Sequence, residues 1–256
     1  MERARRGWVV KRAMSGPRTP LTLTSALTLC ALVGVALRLS HLGARPEPAT
    51  PPPSALVYAL DPADARAAER LLRSARRAQP DQGFKADEGA WWVEGGRLHV
   101  RGAHNAALWL PVSLPRDARV ELSVRAEDAE GDAKCELFGD GQTHQSGYIL
   151  INGGWKNRLR VIARRDEHDE RRREDQRCAG RCAPQGVEQR WVIERRGRTL
   201  TWYIDGRVAL ELKDAHPLKG PGLALNGWEA HVSFGPVKVY DLGAPSGPTR
   251  RLLQLR

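Results

Sequence analysis

An all-β fold is predicted for most of this chain: a two-sheet antiparallel jelly-roll sandwich, preceded by one transmembrane helix and a short amphipathic helix. Three observations carry that expectation. Between Arg190 and Asp241 apolar residues alternate with their neighbours: Trp191 and Ile193, then Leu200, Trp202 and Ile204, then Val208, Leu210 and Leu212, then Val232 and Phe234. A period of two puts one set of side chains on a buried face and the other outside. Arg196-Gly197-Arg198 and Asp205-Gly206 stand between the runs, where hairpin turns need residues that tolerate positive φ. The third observation is an uncharged run of 17 residues near the N-terminus, 21–37.

Taken in order, residues 1–20 form a basic tail carrying Arg3, Arg5, Arg6, Lys11, Arg12 and Arg18. Residues 21–39 follow as a span just long enough to cross a bilayer. Positive charge on its N-terminal side orients it as a single-pass signal anchor, with everything after it outside the cytoplasm. Secretion after signal cleavage is the alternative, although Leu42 is bulky for the position before a cut at Ala44. Residues 40–60 include RPEPATPPP, which predicts a stiff extended spacer. Asp61-Pro62 with Asp64 predicts a helix start. Ala65, Ala68, Leu71, Leu72 and Ala75 then give a thin apolar stripe up to Pro80, suited to packing on the sandwich or on headgroups.

From Gly83 the pattern is β. GAWWVEGGRLHVRG predicts a hairpin at Gly95-Gly96, and ALWLPV, ARVELSVRAE, AKCELFGD, GYILIN and RLRVIARR follow. About eleven short strands without a helix among them predict a sandwich spanning 84–242. The stretch 165–186 interrupts the pattern with dense charge and no apolar period, and is expected to be a solvated excursion. Residues 243–256 form a second basic tail.

Charge distribution excludes one class of function. The formal charge is +11, but residues 1–53 hold eight Lys or Arg against two acids, while 85–242 hold 25 against 24. A nucleic-acid-binding domain carries its positive surplus on the folded surface, so nucleic acid is not an expected partner.

The order WWVEGGRLHVRG, VELSVRAE, WVIERRGRTLTWYIDGRVALEL, PLKGPGLAL and VSFGPVKVYDL resembles the concanavalin A-like lectin/glucanase superfamily. Within it, the bacterial extracytoplasmic members related to 3-keto-disaccharide hydrolase domains and laminin-G-like modules are the most similar. The resemblance covers about residues 84–242. It implies a jelly roll that meets sugars on one sheet or its rim loops, with calcium at the rim in some members. Glucanases of this fold place carboxylates as Glu-x-Asp-x-Glu on one strand. Here Glu130, Asp132 and Glu136 leave three residues in the second gap, so the close facing pair of a retaining mechanism is not expected.

The candidate site residues follow from strand parity. If Val120, Leu122, Val124, Cys135, Leu137, Leu159, Val161 and Ala163 face the core, then Arg125, Glu136, Arg164 and their alternates face outward. Tyr148, Trp155 and Trp228 offer aromatic faces for a pyranose ring, with Arg125, Glu136 and Arg164 to meet its hydroxyls. These six are the expected carbohydrate-binding residues. Glu136, His144 and Glu167 are the catalytic candidates if the domain cleaves a glycoside, since a histidine titrates near neutrality. Asp128, Asp132 and Asp140 are hard oxygen ligands that could hold calcium. Cys178 and Cys182 share a polar loop, and outside the cytoplasm a local disulfide is expected over free thiols or zinc. Three functions stay open: an extracytoplasmic module for carbohydrate or cell-wall glycan, a hydrolase of the 3-keto-disaccharide type, and a protein-interaction scaffold.

Overall fold

The computed structural model describes residues 45–86 and 90–243; the expected signal anchor at 21–39 and the tails at 1–20 and 244–256 lie outside the described residues. Among the described residues no helix is long and apolar enough to cross a membrane. In chain order the elements are β1 (Leu56–Leu60), α1 (Ala65–Ser74), β2 (Trp91–Glu94), β3 (Arg97–Val100), β4 (Leu108–Trp109), β5 (Ala118–Ala126), β6 (Ala133–Gly139) and β7 (Tyr148–Gly153). They continue with β8 (Leu159–Arg164), β9 (Arg173–Arg177), β10 (Glu188–Arg196), β11 (Thr199–Ile204), β12 (Arg207–Lys213), β13 (Gly222–Gly227) and β14 (Val232–Asp241).

These strands form two antiparallel sheets. One runs β12-β11-β10-β5-β14-β3-β2, with β1 added to β14, and the other runs β4-β13-β6-β7-β8-β9. The alternation seen in β10, β11, β13 and β14 is the physical reason: their apolar sets all face the space between the sheets. Trp191 and Trp202 lie there edge to face, 4.7 Å between ring centroids, beside Val120, Leu122, Phe234, Leu137, Leu150 and Leu223. The β2–β3 hairpin turns at Gly95-Gly96 as the sequence predicts, both at positive φ.

Four expectations are corrected. First, the stretch read as a free spacer is bound to the eight-stranded sheet from residue 45 onward. Glu47 donates its N–H to the Gly206 carbonyl, Pro46 bridges Arg207, and β1 pairs with β14. The anchor is Arg119, fully buried on the face turned away from the core. It pairs with Glu47, with Glu121 at 2.6 Å and with Glu194 at 2.9 Å. Burial opposes its charge, but the hydrogen bonds to Glu194, Glu121 and Glu47 outweigh it and hold the guanidinium above its ordinary value.

Second, α1 stops at Ser74, short of Pro80. Asp64 caps it by accepting from the Ala67 N–H, and Ala68 and Leu71 pack into the sandwich. Residues 76–81 are extended instead, because Arg76 and Ala78 hydrogen-bond the chain at Trp109 and Ala107. Third, the charged excursion contains β9, which pairs with β8 at the sheet's edge. An edge strand wetted on both sides shows no apolar period. Fourth, the parity of β8 is reversed: Ile162 enters the main core, while Leu159, Val161 and Ala163 pack with Ile149 and Ile151 on the opposite face.

Candidate functional site

The outward face of the six-stranded sheet carries a buried polar cluster built from β6. Lys134 and Glu136 alternate with Cys135 and Leu137, so both point away from the core. Glu136 has no solvent exposure. Its Oε1 accepts from the N–H groups of Ser146 and Gly147, at 2.9 and 2.7 Å, and from the Ser146 hydroxyl. Its Oε2 accepts from the Gln145 N–H and from Nδ1 of His144 at 3.1 Å. The loop 140–147 is thereby folded down onto the sheet. Gly147 is required at its end, since a Cβ there would sit 2.4 Å from the Leu137 carbonyl oxygen. Because a carboxylate only accepts, Nδ1 of His144 carries the proton in this contact, and Nε2 points to the opposite side of the ring.

That Nε2 is buried and has no hydrogen-bond partner among the described residues; neither has Oε2 of Glu167. The two atoms are 3.8 Å apart. Oε1 of Glu167 accepts from Nζ of Lys134 at 3.0 Å, and the same ammonium donates to Oδ1 of Asn105 and lies 3.5 Å from Asp132. Burial works against the Lys134 charge, yet the carboxylates of Asp132 and Glu167 raise its pKa above the ordinary lysine value. Asp132 is also raised, chiefly by burial, with Glu167 adding to it and Lys134 opposing.

Two tryptophans frame this cluster. Trp155 sits in a turn whose residues Trp155, Lys156 and Asn157 all have left-handed φ, 52°, 60° and 58°. Three such residues in succession are costly for side chains with a Cβ and persist only where the surroundings enforce them. The enforcement is Asn157, which donates to the carbonyls of Ala129 and Ala183 and accepts from the Ala183 N–H. Gly131 and Gly153 close around it, since a Cβ on either would collide with its amide at 2.8 Å. The Cys178–Cys182 disulfide supports the same turn: the Cys178 N–H donates to Arg158 and the Cys182 N–H to Asn157. Trp155 emerges 39 % exposed, its ring against His168 and the Arg173 guanidinium. Trp228 is half-buried, held by edge contacts from Phe84 and His104, and Lys134 lies over its ring at 5.7 Å.

Trp155, Trp228, Lys134, Asp132, Glu167 and His168 line one open cavity of about 430 Å³. The structure thus brings together Trp155, Trp228 and Glu167, with Glu136 and His144 in the layer behind. Lys134, Asn105 and Asp132, as a group, were not among the sequence candidates for sugar binding. The available signal was that Lys134 shares a strand face with Glu136.

Three expected binding residues lie elsewhere. Tyr148 is buried in the main core and donates its hydroxyl to Asp214 at 2.7 Å, burial pushing that hydroxyl up to about 12. Arg164 pairs with the same Asp214 at 2.8 Å, on the core side of β8. Arg125 belongs to the other sheet, where it pairs with Glu127. The three calcium candidates are not gathered either. Asp128 accepts from the Glu130 and His231 N–H groups, Asp140 ties loop 140–146, and Asp132 faces Lys134. Among the described residues no group of three or more such ligands is placed to hold a metal.

Asp214 makes a pH prediction. Burial raises its pKa, but hydrogen bonds from Tyr148, the His216 N–H and Arg164 bring it below the ordinary value. A depressed carboxylate stabilises the fold fully above its unfolded pKa of about 4 and loses that contribution as pH falls. The Tm gap between the native chain and Asp214→Asn is therefore expected to be widest at neutral pH and to close toward pH 3. A gap independent of pH would refute the assignment.

Comparison with protein-family models and with curated proteins finds no match. Among solved structures, one described as a native glycosidic hydrolase aligns with a TM-score of 0.51 at 11 % identity, over 73 % of this chain and 97 % of that one. The carbohydrate-binding module CBM66 from Bacillus subtilis aligns with a TM-score of 0.47 at 17 % identity, over 62 % and 99 %. A beta-glucanase from Bacillus licheniformis gives 0.49 at 9 %, over 65 % and 92 %. The likeness to the glycosidic hydrolase structure establishes a fold and not a chemistry. The shared fold is an antiparallel two-sheet β-sandwich.

Proposed function

We propose that this domain binds carbohydrate in the cavity between Trp155 and Trp228. The observation that carries the reading is the exposed Trp155, held in a strained turn at the mouth of a cavity lined by Lys134, Asp132 and Glu167. An aromatic face suits the apolar C–H face of a pyranose, and a few buried charged groups suit its hydroxyls. Anchoring outside the cytoplasm through residues 21–39 is part of the proposal, supported by the uncharged run behind basic residues and by the disulfide.

A second reading, a glycoside-cleaving hydrolase of the 3-keto-disaccharide hydrolase type, is favoured by one observation: the unpartnered Nε2 of His144 beside the unpartnered Oε2 of Glu167. In that reading Glu136 orients the imidazole and does not itself meet substrate. One assay separates the two, a glycan and peptidoglycan panel read for binding and for released product. Trp155→Ala is expected to weaken binding roughly tenfold to hundredfold, the value of covering one aromatic face, without moving the Tm. Glu167→Gln is expected to stop any product release. Unchanged affinity in Trp155→Ala would sink the binding site, and silence across the panel would turn attention to a protein partner.

A further inference from the structure

A second cavity, of about 660 Å³, opens at the other end of β6, where Phe138 meets the β10–β11 turn and residues 215–220. Its walls carry Arg116, Arg195, Arg198, His216 and Lys219 and no carboxylate. Arg195 is 4 % exposed, and its guanidinium lies 3.4 Å over the Phe138 ring. Its Nε donates to the Arg116 carbonyl and its Nη1 to the Leu218 carbonyl. Those bonds and the Phe138 ring fix its orientation, and no carboxylate among the described residues forms an ion pair with it. Among the described residues none of Arg116, Arg195, Arg198 and Lys219 forms an ion pair. Of the nearby acids, Asp117 accepts from the Gly197 N–H and acts on Arg195 without an ion pair, and Asp214 is held by Arg164 and Tyr148.

A buried charge without a counter-charge is costly, and natural folds retain one where something supplies the partner. Phe138 adds a second sign of purpose. It has a positive φ of 60° at a bulge opposite Gly222 and Leu223, so the chain accepts strain to turn this ring beneath Arg195. Neutral sugar would leave four cations unpaired. A tetrahedral oxyanion accepts donors from several directions at once, and arginine forks match it.

We propose that this cavity is an anion site for a phosphate or sulfate ester, with Arg195 as its floor and Arg116, Arg198 and Lys219 as its rim. The volume admits a monosaccharide carrying such a group. The site is separate from the tryptophan cavity, since Lys134 and Phe138 are four residues apart along one strand, roughly 13 Å. Burial holds the Arg195 guanidinium below its ordinary value, and a bound oxyanion would oppose that.

The test is calorimetric titration of the full chain with glucose 6-phosphate, glucose 6-sulfate and glucose. The expected result is saturable binding of at least one ester, weakening as salt is raised, with no binding of glucose at this site. The double variant Arg116→Ala/Arg198→Ala is expected to lose at least tenfold in affinity with an unchanged Tm, because both side chains are exposed. Trp155→Ala should leave ester binding intact, which separates this site from the sugar cavity. Preference for one ester identifies which oxyanion the site takes, and either preference supports the proposal. Failure of both esters to bind saturably, or undiminished ester affinity in the double variant, would overturn it.

Discussion

Replacing Glu136 with alanine is expected to cost about 3–5 kcal/mol of stability and to lower the Tm by roughly 10 °C or more. The reason is the asymmetry of buried hydrogen bonds: removing the acceptor leaves donors that cannot find water. The N–H groups of Gln145, Ser146 and Gly147, the Ser146 hydroxyl and His144 all converge on this one carboxylate. Glu136→Gln keeps one acceptor oxygen and is expected to lose about half as much. Thermal unfolding of the two variants measures both. Native-like melting of the alanine variant would show that the carboxylate does not seat the loop. The loss of His144 from its place should accompany the loss of stability, visible as a shift of its ring resonances.

The second large effect is expected from the N-terminal strap. A fragment beginning at residue 61 loses β1, with the buried Leu60, and removes Glu47 and the Pro48 carbonyl from Arg119. Breaking one partner from a fully buried charge is worth about 3–5 kcal/mol, and the exposed backbone of β14 adds a sticky edge. Such a fragment should melt at least 10 °C below one beginning at residue 45 and should self-associate. Glu47→Ala isolates the electrostatic part within the intact chain. Equal melting of the fragments would mean that the strap lies on the sheet without holding it.

The sandwich itself was legible wherever one face of a strand is polar. β10, β11 and β14 alternate because their outer faces carry the polar residues Glu194, Thr201 and Lys238, the first two buried. Legibility failed on β7 and β8, where Tyr148, Ile149, Leu150 and Ile151 are buried on both faces. A strand covered on both sides has no polar face to mark its register, so Tyr148 was assigned outward and Ile162 away from the core. The site was half legible for a different reason. Glu136, His144, Trp155 and Trp228 announced themselves by chemistry in a β context. The partner of Lys134 lies 33 residues away in a charged stretch, and no local spacing reports such a pairing. Arg119 and Glu47, 72 residues apart, escaped in the same way.

The strap also decides how the domain would respond to force. Tension arriving along the chain from residues before 45 meets the Arg45–Glu211 and Glu47–Arg119 ion pairs before it reaches β1. Those pairs act as a clip that must open first, and the β1–β14 register gives way only afterwards. The tryptophan cavity is built on the other sheet, so opening the strap leaves its walls in place.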